Sequence, residues 1–103
     1  MDDISKRGLA TYFLNLKKLA KIPALMAFGL GDNADEAEKM PEAELKAILA
    51  KRLSILSKSQ VSPNSFRIYR SSWKTNSNFY GAYTYAATST RRVHWENMSK
   101  PIF

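Results

Sequence analysis

The chain has 103 residues, enough for one small domain and one modest core. It contains no cysteine and a single histidine, His94, which excludes disulfides, thiolate metal sites and a multi-histidine zinc site. The net charge of +7 is unevenly placed: residues 31–44 hold six acidic residues against Lys39, whereas residues 45–103 hold ten basic residues against Glu96 alone. No apolar run reaches the roughly 20 residues needed to span a bilayer. The start, Met1-Asp2-Asp3-Ile4-Ser5-Lys6, lacks the apolar core of a signal peptide, so the expected location is cytoplasmic.

In chain order, residues 10–17 are rich in aromatic and aliphatic types and predict a strand. Lys18 to Lys21 follows as a basic connection. Residues 22–30 are almost wholly apolar, a pattern that suits a strand buried on both faces, with Pro23 confined to its first residues because it cannot donate to a ladder. Asp32 is placed to cap a short helix over 33–39, with Asp35 and Glu36 near its positive end. Pro41 suits the first turn of a second helix over 42–57, whose apolar residues Leu45, Ile48, Leu49, Leu53 and Leu56 form one stripe at helical period.

Residues 57–65 form a polar connection. The segments 66–72 and 80–88 carry strand-type residues, separated by the turn formers Thr75-Asn76-Ser77-Asn78. Residues 89–92 read as loop, as does His94-Trp95-Glu96, where no nucleophile stands beside the histidine. The resulting order of elements predicts an α+β fold rather than a doubly wound sheet.

One short motif points elsewhere. Gly29-Leu30-Gly31-Asp32-Asn33-Ala34 matches the dinucleotide fingerprint G-x-G-x-x-A between a predicted strand and a predicted helix. The following helix is short and meets Pro41, and a second helix stands where a parallel strand is required. Asp32 would also set a carboxylate beside a pyrophosphate. The motif therefore reads as a strand-to-helix turn that needs glycine torsions.

The strongest pattern lies at residues 71–83, Ser-Ser-Trp-Lys-Thr-Asn-Ser-Asn-Phe-Tyr-Gly-Ala-Tyr. Trp73 and Tyr83 stand ten positions apart across a polar turn, with Gly81-Ala82 just before the tyrosine. This resembles the flavin-containing amine oxidase family, which includes monoamine oxidases, polyamine oxidases and lysine-specific histone demethylases. The likeness extends through Phe13-Leu14-Asn15-Leu16, Ile22 to Phe28, the helix from Leu45 to Leu56, and Met98-Ser99-Lys100-Pro101-Ile102.

The resemblance implies that residues 1–72 are part of a substrate-binding domain and that 73–103 return toward a flavin-binding domain. It implies FAD as cofactor, a small-molecule amine as substrate, and oxidative deamination as the reaction. Trp73 would pack near the flavin ring, Gly81 would permit close backbone approach, and Tyr83 would form one wall of an aromatic cage. Ala82 stands where monoamine oxidases carry the cysteine that bonds to the flavin, so FAD would be held non-covalently. The dinucleotide-binding domain, the C-terminal flavin segment and the family's flavin-contacting lysine cannot be placed here. The expectation is therefore a piece of an amine oxidase that is inactive alone, with no catalytic residue and no metal ligand of its own.

A second class of function remains open from composition. The basic half, with Arg67, Arg70, Lys74, Arg91 and Arg92 among aromatics, would suit single-stranded nucleic acid.

Overall fold

The computed structural model describes residues 8–102. They fall into two compact units, divided between Ser72 and Trp73. The architecture is α+β, as expected from the sequence: among the described residues there are one two-stranded antiparallel sheet and four helices.

In the first unit, β1 (Tyr12–Asn15) pairs with β2 (Leu25–Phe28) in the register Tyr12↔Phe28 through Asn15↔Leu25. Tyr12 and Phe28 stack with ring centroids 4.7 Å apart. The strand ends at Asn15 because its side-chain oxygen accepts the Lys17 N–H at 3.0 Å, which starts helix α1 (Leu16–Ala20). This replaces the predicted basic connection with a helix of Leu, Lys and Ala, all good helix formers. Lys21 closes it in the left-handed conformation, φ 60°. Pro23 falls before β2 rather than in it.

The predicted burial of 22–30 on both faces is not observed. Leu25, Met26 and Ala27 are exposed, and Leu14, which shares a face with Met26 and Phe28, is exposed as well. The apolar run records a surface suited to burial, but among the described residues no further strand or layer covers it.

Helix α2 (Asp32–Lys39) begins one residue earlier than predicted. Its N-cap is Gly31, not Asp32. Gly31 has φ 58° and ψ −144°, a region that only glycine occupies readily, so the glycine motif serves the turn. Helix α3 (Glu42–Ser57) has the predicted bounds. Glu42 pairs with Lys46 at 3.0 Å one turn on. At its far end the Ser54 hydroxyl donates to the Ala50 carbonyl and accepts the Val61 N–H, both at 2.8 Å, folding the chain back onto the helix.

The core sits at the corner of α2 and α3. Leu9, Met40 and Leu45 are buried together, with Ala37, Ile48, Leu49 and Ile68 packed against them. The stripe on α3 is therefore used at its N-terminal end, while Leu56 is 66% exposed.

The segments 66–72 and 80–88 are not strands. Strand-type composition needs an adjacent edge to supply ladder partners, and neither segment has one among the described residues. Residues 66–72 are fixed by side chains instead: Ile68 enters the core and Arg70 donates to the carbonyls of Ala37 (2.9 Å) and Met40 at the end of α2. In the second unit, residues 92–98, predicted in part as loop, form helix α4 (Arg92–Met98). The His94 Nδ1 accepts the Arg91 N–H at 3.0 Å, satisfying one donor at its start, and Arg92 pairs with Glu96 at 2.7 Å. Among the described residues no helix is long and apolar enough to cross a membrane.

Candidate aromatic site

The second unit opens with a compact turn. Its organiser is Asn76. The Asn76 side-chain oxygen accepts the Asn78 N–H at 2.9 Å, and its carbonyl accepts the N–H groups of Phe79 (3.1 Å) and Tyr80 (3.0 Å). A side-chain oxygen that bonds the backbone two residues on is a physical reason asparagine favours turns. The reversal brings Phe79 edge-on to Trp73, with centroids 5.2 Å apart and planes at 90°. This is the T-shaped geometry that the quadrupoles of two aromatic rings prefer. Tyr80 leaves the turn in the left-handed conformation, φ 57°.

Each of the four residues singled out from the sequence lies on this turn or just after it. Trp73 is 45% exposed and held by Phe79. At Gly81 an added Cβ would meet nothing within 4 Å, so the chain itself leaves that approach open. Ala82 is exposed. Tyr83 is 75% exposed and takes no part in the ring pairs of the described residues, so the indole meets the edge of Phe79 and not the phenol. Phe79 and Asn76 had no individual role in the sequence reading. The Asn-Ser-Asn run was the available signal for the turn, but no spacing rule identifies which aromatic the turn delivers to the indole.

An arrangement of this kind offers flat apolar surface next to unobstructed backbone. Aromatic faces of this kind suit a planar ring. No group of three or more metal-ligating side chains occurs among the described residues. In the first unit, the glycine turn before α2 does not suit a pyrophosphate, since Asp32 and Asp35 occupy the first turn of that helix. Of the basic residues considered for nucleic acid, Arg70 is engaged with α2 and Arg92 with Glu96.

A family model described as flavin containing amine oxidoreductase matches residues 4–103, and the chain belongs to that family. It is 28% identical over 101 residues to histone demethylase-like protein A of Aspergillus fumigatus. The match covers 98% of this chain and 9% of that protein, so the chain spans about a tenth of the length of this curated relative. No solved structure matches the chain.

Proposed function

We propose that this chain is a portion of a FAD-dependent amine oxidase, in which residues 1–72 belong to the substrate-binding domain and residues 73–103 lead toward the flavin-binding domain. Tyr83 forms one wall of the amine pocket. Trp73 packs beside the flavin ring, and Gly81 lets the backbone come close to it. Ala82 presents no thiol, so FAD is held without a covalent bond, and chiefly by protein outside this chain. When bound, FAD supplies the oxidation of the carbon next to the amine nitrogen. The aromatic side chains orient the neutral amine, keep water from it and offer no competing nucleophile.

The observation that carries this reading is the Trp73–Gly81–Tyr83 pattern lying on one turn-led segment inside a family match over residues 4–103. The exposure of Trp73 and Tyr83 supports it, since both rings are accessible to further protein and cofactor. The test is to purify the chain alone and co-expressed with the flavin-binding part of a family member, then measure flavin absorbance and amine oxidation. The expected result is flavin and turnover only in the pair, with Tyr83→Ala impairing turnover of the amine and Trp73→Ala weakening flavin retention. A reconstituted pair indifferent to both substitutions overturns the reading.

A further inference from the structure

We infer that Phe79 is the positioning residue for the Trp73 indole, and that Asn76 folds the turn that places Phe79 there. The inference deepens the role proposed for Trp73 and rests on that reading for its functional meaning. The geometry is specific. Trp73 is only half covered, and its ring partner is Phe79, edge-on at 5.2 Å and 90°. A half-exposed indole on a loop has several rotamers open to it, and an edge-to-face ring selects among them. Phe79 is itself 59% exposed, so the pair is held from the backbone side.

That hold comes from Asn76, whose side-chain oxygen accepts the Asn78 N–H while its main-chain carbonyl accepts those of Phe79 and Tyr80. The next residue, Tyr80, has φ 57°, a conformation disfavoured for a bulky side chain and one that persists only where neighbouring bonds impose it. The turn is thus fixed at both ends: an asparagine gathers the donors, and a strained tyrosine directs the chain on to Gly81 and Tyr83. A face meant to meet a rigid planar ring benefits from being set before the ring arrives, because less ordering is left to binding.

The test uses the full chain carrying Trp95→Phe, so that Trp73 is its single indole, and reads the near-ultraviolet circular dichroism of that indole. Phe79→Ala is expected to remove roughly half or more of the band, because the ring pair that fixes the rotamer is gone. Asn76→Ala, which loses the bond to the Asn78 N–H and keeps the two main-chain bonds, is expected to reduce the band although it removes no ring. Phe79→Tyr and Asn76→Asp, which keep the ring and the side-chain acceptor, are expected to retain the band. A folded Phe79→Ala or Asn76→Ala chain with the parent band overturns the inference. So does a loss of the far-ultraviolet signal in Phe79→Ala that Phe79→Tyr fails to restore, since the ring would then serve general stability. No flavin enters the measurement, so its failure is separate from failure of the flavin assignment.

Discussion

Arg70 reaches back 30 positions to donate through its guanidinium to the carbonyl of Met40, and the same nitrogen donates to Ala37. Both carbonyls lie at the end of α2, where helical acceptors have no partner within the helix. Replacing Arg70 with alanine frees those acceptors and releases the strap that carries Ile68 into the core. Arg70→Ala is expected to lower stability by about 1–2 kcal/mol, read as a shift of the urea midpoint. Arg70→Lys, with a single compact ammonium, should recover only part of it.

The core at the α2–α3 corner is small, so its members differ sharply from the exposed end of the same stripe. Leu45 is 5% exposed and Leu56 is 66% exposed. Leu45→Ala should cost about 2–4 kcal/mol through lost transfer energy and an unfilled cavity, whereas Leu56→Ala should change stability by less than about 0.5 kcal/mol. Denaturation of the two variants side by side checks the contrast. Equal effects would place the core elsewhere.

Gly31 offers a test of torsion without crowding. An added Cβ would meet nothing within 4 Å, yet φ is 58°. Gly31→Ala is therefore expected to destabilise by about 1–3 kcal/mol from backbone strain alone, measurable by thermal unfolding. An unchanged midpoint would show that the turn has another accessible conformation.

Helix α4 depends on its start. The His94 Nδ1 receives the Arg91 N–H, and the helix has only seven residues with every side chain exposed or nearly so. His94→Ala should weaken it by about 0.5–1 kcal/mol, seen as a loss of α-type chemical shifts over 92–98. His94→Glu should preserve it, since a carboxylate at this position can also receive that N–H and favours the helix's positive end.

Much of this fold can be read from local pattern, and the exceptions share a cause. Helix α3 is legible because Leu45, Ile48 and Leu49 repeat at helical period and Glu42 and Glu44 sit at its start. The hairpin is legible as two apolar runs, although Asn15 and Pro23 trim them to four residues each. Residues 66–72 and 80–88 have strand chemistry without a strand because an edge to pair with is supplied by the rest of a structure, not by the segment. Helices α1 and α4 escape a periodicity search because they are too short to show a period, and single bonds from Asn15 and His94 decide them. At the candidate site, Trp73, Gly81, Ala82 and Tyr83 stand out by their resemblance to a family pattern. The Trp73–Phe79 pair could not be read, since it depends on how Asn76 closes the turn.

One bond has a bearing on how the molecule is made. The Arg52 guanidinium donates to the carbonyl of Ala10 at 3.1 Å, tying α3 to the residues just before β1 across 42 positions. Leu9, beside it, waits for Met40 and Leu45 before it has anything to pack against. On a ribosome the hairpin can close early, being local and held by the Thr11 N–H to Phe28 carbonyl bond, but Leu9 and the Ala10 carbonyl gain their partners on α3 only once that helix has been translated. Assembly of the first unit is thus back-loaded, with Leu9 and Ala10 anchored to α3 late, and the cost of closing that long loop falls on the rate of folding.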